Sequence, residues 1–264
     1  MASRLSATFQ TLRDKGEKAL VVFITGGDPS LEDLPIILET LQEAGADVIE
    51  IGLPFSDPIA DGPVIQASSF RALTNGATRK GVLRSLREAN LDVPVVLMGY
   101  YNSMLRPGLA NFAQEAVEAG VSGTIVCDII PEEGLDWIEA SRQTGLDTIF
   151  LAAPTSTIER LDGVAKYSTG FVYAVSRTGV TGDSTGFGEE TNKLISDLKQ
   201  LTSTPVCVGF GVSQPAHVRA LAELADGVVV GSALVRLIAE KWDTSSGRTE
   251  VLDYVKSLKE ATRG

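Results

Sequence analysis

Residues 49–63 read IEIGLPFSDPIADGP, and the reading of this stretch decides the rest. Residues 46–51 (ADVIEI) follow Gly45 as a short, β-branched run, the signature of a strand. In the apolar part of that run, residues 48–51 (VIEI), sits one carboxylate, Glu50, and a strand covered on both faces leaves an ionised side chain no water. After Gly52 the chain becomes a loop with Pro54, Pro58 and Pro63 and two further acids, Asp57 and Asp61. One acid is therefore mounted on a strand and two ride on the loop after its C-terminal end, where parallel α/β folds carry their chemistry. Each acid also has a purely structural reading. Glu50 can be half of an interior ion pair, Asp57 can open an Asp-Pro turn, and Asp61 before Gly62-Pro63 can be a helix N-cap.

Working outward, eight short β-rich runs occur in order, at residues 20–25, 46–51, 93–98, 124–127, 148–151, 170–175, 205–208 and 227–230. Between them apolar residues recur at helical spacing. The stripes are Leu31, Leu34, Ile37, Leu38 and Leu41; Phe112, Ala116 and Val117; Leu135, Ile138 and Ser141; Leu194, Leu198 and Leu201; and Val218, Leu221 and Leu224. The glycines of Ala44-Gly45-Ala46 and Ala119-Gly120-Val121 close helices and lead into strands. Eight βα units without a break in composition predict one domain, an α/β (β/α)₈ TIM barrel, with a short N-terminal helix carrying Leu5, Phe9 and Leu12 on one face. A doubly wound open sheet is the runner-up, but Gly26-Gly27-Asp28-Pro29 after the first strand lacks the glycine spacing of a dinucleotide turn. Two connections are long: the one after strand two, and residues 176–188 (SRTGVTGDSTGFG) after strand six. Long glycine-rich connections in a compact domain are usually binding loops.

Among 264 residues the net charge of −11 speaks against a nucleic-acid groove or an anionic membrane surface, and no apolar run is long enough to span a bilayer. Acidity does not exclude a phosphorylated ligand, because helix N-termini bind phosphate through backbone N–H groups. Gly209-Phe210-Gly211 after strand seven and Gly231-Ser232-Ala233 after strand eight have the placement of a barrel phosphate site. Cys127 and Cys207 fall in apolar runs and read as buried thiols in a reducing compartment. No lysine lies at the end of a strand, which argues against a Schiff base, and one histidine, His217, on a helix argues against a histidine-held metal or a carboxylate–histidine isomerase. Carboxylate acid–base chemistry on a phosphorylated substrate remains, the substrate stabilising its own carbanion.

At this point a family resemblance is evident. Residues 23–29 (FITGGDP), residues 49–63 and residues 176–182 (SRTGVTG) look like signatures of the tryptophan synthase alpha chain, and the similarity runs the length of the chain. It implies retro-aldol cleavage of indole-3-glycerol phosphate to indole and glyceraldehyde 3-phosphate, with no cofactor in this chain and no metal; pyridoxal phosphate belongs to the beta partner. By the resemblance, Glu50 is the acid–base residue and Asp61 holds the indole N–H. Tyr173 stands near Glu50, and Phe23, Ile65, Met98, Tyr100, Ile125 and Cys127 line the indole pocket. Gly182, Gly211, Gly231 and Ser232 cradle the phosphate, and Thr181 reaches Asp61 from a loop expected to be mobile until phosphate binds. A cytoplasmic alpha2beta2 tetramer is implied, the beta subunit meeting Asp57, Pro58, Asn102 and residues 128–131. Two details depart from the family pattern on that surface: Pro131 lies one position late after Asp128, and Ser103 stands where many members have proline. Alternatives are another phosphosugar barrel, a stand-alone lyase, and a weakly active barrel that mainly activates a partner.

Overall fold

The computed structural model describes residues 3–176, 188–209 and 211–263. The expected Thr181 and Gly182 contacts, and the expected behaviour of their loop, lie outside the described residues.

The strands are largely buried along their length, and they pair in parallel throughout. They are β1 (Ala19–Thr25), β2 (Val48–Gly52), β3 (Val95–Gly99), β4 (Val121–Val126), β5 (Asp147–Ile149), β6 (Leu151–Ala152), β7 (Val172–Val175), β8 (Val206–Gly209) and β9 (Gly227–Val230). The sheet runs β5-β4-β3-β2-β1-β9-β8-β7-β6. Its two ends, β5 and β6, are consecutive in the chain and interrupted only at Phe150. They are the two halves of the fifth barrel strand: the first half pairs with β4 and the second with β7. That pairing closes the (β/α)₈ barrel expected from the eight runs.

Because successive strand side chains point to opposite faces, each strand feeds two cores. Outward positions such as Leu20, Val22, Ile49, Ile51 and Val228 pack under the helices. Inward positions, among them Val21, Val48, Val96, Ile125, Ile149, Cys207 and Val229, fill the barrel. The N-terminal helix α1 (Arg4–Lys15) does not lie on the outer layer. Its Leu5, Phe9 and Leu12 join the inward core and stopper the N-terminal end of the barrel. Glycine makes room for this stopper: a Cβ on Gly170 would lie 2.7 Å from Leu5 Cδ1, and one on Gly123 3.0 Å from the same atom.

The other end of the barrel carries the long connections. After β2 the chain forms a loop and then returns to the outer layer of helices. That layer runs α2 (Leu34–Glu43), α3 (Pro63–Thr74), α4 (Arg79–Glu88), α5 (Tyr101–Leu105), α6 (Leu109–Glu118), α7 (Leu135–Thr144), α8 (Ile158–Tyr167), α9 (Glu189–Leu201), α10 (Pro215–Ala222), α11 (Ser232–Lys241) and α12 (Gly247–Glu260). Gly45 (φ 95°) and Gly120 (φ 86°) adopt the left-handed conformation expected at the helix-to-strand turns.

Three expected stripes are displaced at one end. Leu135 is exposed and Ile138 half-buried, while Ser141 is buried as expected and Trp137 and Ala140 join it on the covered face of α7. Leu135 is the first residue of that helix, and Trp137 stacks edge-on against Phe112 of α6, which sets the buried face. Leu201 closes α9 and Leu224 lies beyond the end of α10, so both emerge toward solvent.

Candidate active site

The inward side chains at the C-terminal ends of the strands face a cavity of about 470 Å³. Phe23, Glu50, Met98, Leu151, Tyr173 and Val229, one from each of β1, β2, β3, β6, β7 and β9, line it together with Cys127 just past β4. The seventh barrel strand, β8, contributes glycine. A Cβ on Gly209 would stand 2.7 Å from the Tyr173 hydroxyl and 2.8 Å from Val229 Cβ, so this position must be bare for Tyr173 to occupy its place. Gly52 does the same for the ring of Phe23, whose Cζ would lie 2.6 Å from a Cβ there.

Glu50 is 1% exposed, and among the described residues neither carboxylate oxygen has a hydrogen-bond partner. No described residue forms the interior ion pair considered from sequence. Burial first, and the neighbouring Asp61 charge second, raise the Glu50 pKa from 4.5 to about 8. Near neutral pH the group is a buried, protonated carboxyl at the wall of a cavity.

Asp61 is held differently. The helix that follows it, α3, has Gly62 as its N-cap and no side-chain capping bond, so Asp61 is not the cap that the sequence suggested. Its side chain turns into the cavity, where the Tyr100 hydroxyl donates to Oδ2 at 3.0 Å. The same hydroxyl accepts from the Ala60 N–H at 2.9 Å, and the Tyr100 ring stacks on Phe55 at 4.9 Å. Tyr100 thus pins both ends of the loop. Burial raises the Asp61 pKa, and the Tyr100 bond partly offsets the rise. Burial also raises the Tyr173 phenol and the Cys127 thiol, leaving both neutral.

The cavity is also bounded by Gly211, Gly231, Ser232 and Ala233. Gly231 is the N-cap of α11, so the first-turn N–H groups of that helix open at the cavity. Gly211 has φ 74°, a conformation that a β-substituted residue adopts only with strain.

Most residues singled out from sequence therefore meet: Phe23, Glu50, Asp61, Ile65, Met98, Cys127, Tyr173, Gly211, Gly231 and Ser232. Two belong elsewhere. Ile125 is fully buried in the inward core one layer below Cys127, and Tyr100 lies behind Asp61 rather than on the wall. Leu151, Val175, Val229 and Arg236 line the cavity and were not anticipated. Strand alternation alone would have flagged the first three, two residues from inward-facing neighbours. On the outer rim, Asp57, Asn102 and Asp128 are exposed and Pro58 is half-buried. Asp128 accepts from the Tyr101 N–H at 2.7 Å, and Asn102 shares a groove of about 800 Å³ with Pro54, Phe55 and Ser56. Pro131, expected on the same surface, is buried.

A parallel barrel with a neutral buried acid, a second carboxylate on the same cavity and a helix N-terminus opening into it defines a barrel enzyme of the acid–base type, built for an anionic substrate with an apolar body. Known proteins narrow the class. The profile of the tryptophan synthase alpha chain family matches residues 9–263. The chain is 44% identical to the tryptophan synthase alpha chain of Solibacter usitatus, covering 97% of each, and 45% identical to that of Geobacter sulfurreducens, covering 98% of each. Among solved structures, ligand-free tryptophan synthase from M. tuberculosis superposes with a TM-score of 0.90 at 35% identity over 100% of both chains. Tryptophan synthase subunit alpha from Legionella pneumophila gives 0.90 at 34% identity, covering 99% of each. The chain belongs to the tryptophan synthase alpha chain family, lyases that cleave indole-3-glycerol phosphate in tryptophan biosynthesis.

Proposed function

We propose that Glu50 and Asp61 carry out this cleavage, and the observation that supports them is the buried, unpartnered Glu50 carboxyl facing the cavity. Neutral Glu50 gives its proton to C3 of the indole ring, which becomes a cation with its charge on the ring nitrogen. Asp61 accepts the indole N–H and balances that charge. The Glu50 carboxylate then takes the proton of the hydroxyl on the adjoining side-chain carbon. The O–H electrons form the carbonyl of glyceraldehyde 3-phosphate, the carbon–carbon bond breaks, and its electron pair restores the aromatic ring. Nothing is oxidised or reduced overall. The protonated ring is the electron sink, so the step calls for no organic cofactor in this chain.

The phosphate is assigned to the N–H groups around Gly211, Gly231 and Ser232. Gly231→Val is the cleaner test of the two glycines, because Gly211 has positive φ and its substitution would mix strain with binding. A Cβ on Gly231 meets only ordinary contact, Phe23 Cβ at 3.4 Å, so the fold is expected to hold while the isopropyl group blocks the phosphate. Glycerol phosphate titrations should show affinity reduced at least about tenfold, with indole binding nearly unchanged. Equal glycerol phosphate affinity would remove the phosphate from this end of the cavity.

The rim of Asp57, Pro58, Asn102 and Asp128 is assigned to a tryptophan synthase beta subunit in an alpha2beta2 assembly, with pyridoxal phosphate in that partner alone. The anchoring of the Asp61 loop supports this. Phe55 stacks on the tyrosine that holds Asp61, so pressure on the rim bears directly on the acid. Indole release is expected to rise several-fold when a cognate beta subunit is added. A rate that does not respond would favour a stand-alone lyase. Two free cysteines suit the reducing cytoplasm, where the reaction is placed.

A further inference from the structure

Resting on the assignment of phosphate to the α11 end of the cavity, we infer that Arg236 is a phosphate-binding residue of this enzyme. It supplies a positive charge that the backbone cradle lacks.

Arg236 lies one helical turn beyond Ser232 on α11, so the two side chains share a face of the helix. It lines the cavity that holds Glu50 and Asp61, and it also lines a second groove, of about 460 Å³, between α3 and α11. Pro63 and Val64 border both spaces, so Arg236 stands at the junction between the site and the outside.

Charge makes this position consequential. Among the described residues that line the cavity, Arg236 carries the one cationic side chain, against the two carboxylates Glu50 and Asp61. A phosphate dianion entering a protein of net charge −11 gains little from the long-range field, so a local cation counts for more. The groove holds one other arginine, Arg71, and that one is committed. Its Nε and Nη2 donate to the two oxygens of Asp28 at 3.0 and 2.7 Å. The groove's acid, Glu240, follows Arg236 by one turn, yet no ion pair joins them and none joins Arg236 to any other described residue. Its planar guanidinium is free to meet a phosphate with two parallel hydrogen bonds, beside the N–H groups of the α11 first turn.

The test compares Arg236→Leu, Arg236→Lys and Gly231→Val side by side. Binding of glycerol phosphate and of indole is titrated at low and high salt, and KM and kcat for indole-3-glycerol phosphate are measured. For Arg236→Leu the expected result is glycerol phosphate affinity lowered about tenfold at low salt, a shallower salt dependence, and unchanged indole binding. KM should rise more than kcat falls, and Arg236→Lys should recover part of the loss. Wild-type phosphate affinity in Arg236→Leu overturns the inference, as does an equal loss for indole, which would mean a general disturbance of α11. If Gly231→Val weakens glycerol phosphate and Arg236→Leu does not, the cradle stands and only the arginine's role falls. If neither variant matters, the phosphate assignment itself fails.

Discussion

Replacing Glu50 by glutamine is expected to abolish most turnover and, at alkaline pH, to stabilise the fold. Loss of a general acid or base costs roughly 10²–10⁴-fold. Glu50 serves as both in the proposed cycle, so the upper end of that range is expected for indole release. Glutamine keeps the shape and introduces no charge, so the barrel should persist. Its effect on stability follows from the raised pKa. Between pH 4.5 and about 8 the folded chain retains the Glu50 proton while the unfolded chain has released it. Stability of the wild type therefore falls as pH rises across that window, and levels off above it. At about 1.4 kcal/mol per pH unit the full effect is roughly 5 kcal/mol. The glutamine variant lacks this term. Its melting temperature should match the wild type near pH 5 and exceed it near pH 8. The wild-type rate should decline above about pH 8 as the donor proton is lost. A variant that cleaves substrate at near wild-type rate removes Glu50 from the chemistry. Parallel pH–stability curves for the two proteins would show that its carboxyl titrates normally.

The second large effect lies at the far end of the barrel. Lys259 is 6% exposed, and its Nζ donates to Asp47 Oδ2 at 2.9 Å and Oδ1 at 3.1 Å. It also pairs with Glu17 at 3.1 Å, and Asp47 accepts from the Leu20 N–H at 2.7 Å. One lysine from α12 thereby ties the last helix to the starts of β1 and β2. The two acids respond oppositely: Lys259 lowers the Glu17 pKa, whereas burial raises that of Asp47 despite the lysine. Asp47 is the more deeply placed, and desolvation outweighs attraction there. Such a pair adds little net stability when intact but is costly to break, because the remaining charge stays buried. Lys259→Met should destabilise the fold by about 3–5 kcal/mol. At roughly 2–4 °C per kcal/mol that is a fall in Tm on the order of 10 °C, with the active site intact below the transition. Adding Asp47→Asn to Lys259→Met should restore much of the loss. A Tm within about 2 °C of wild type in the single variant would contradict the account.

What the sequence made legible follows a physical line. Strands came through because a doubly covered parallel sheet needs unbroken apolar runs, and Glu50 was conspicuous for violating one. The acids and glycines of the site were readable because the motif around them is long. Depth was not readable. Ile125 and Cys127 differ by one layer of the barrel, and Tyr100 and Met98 by whether they face the cavity or support a residue that does. Those distinctions depend on where the barrel narrows and on Gly209 and Gly52 clearing space, which one strand's sequence does not state. The capping role suggested for Asp61 failed for a related reason: a tertiary partner, Tyr100, outcompetes the local helix end. Leu135 misled because spacing at a helix's first residue is decided by the neighbour, here Phe112 against Trp137.

The stopper formed by α1 bears on the order in which the chain can be assembled as it is synthesised. Leu5 needs the bare positions at Gly123 and Gly170, and Phe9 rests 6.0 Å from Phe171. Helix α1 precedes every strand of the barrel, so it has no seat until the chain has been made through Gly170. The seat is complete only when β9 pairs with β1. Until then an amphipathic segment waits with its apolar face uncovered, a window in which a nascent-chain chaperone has something to hold.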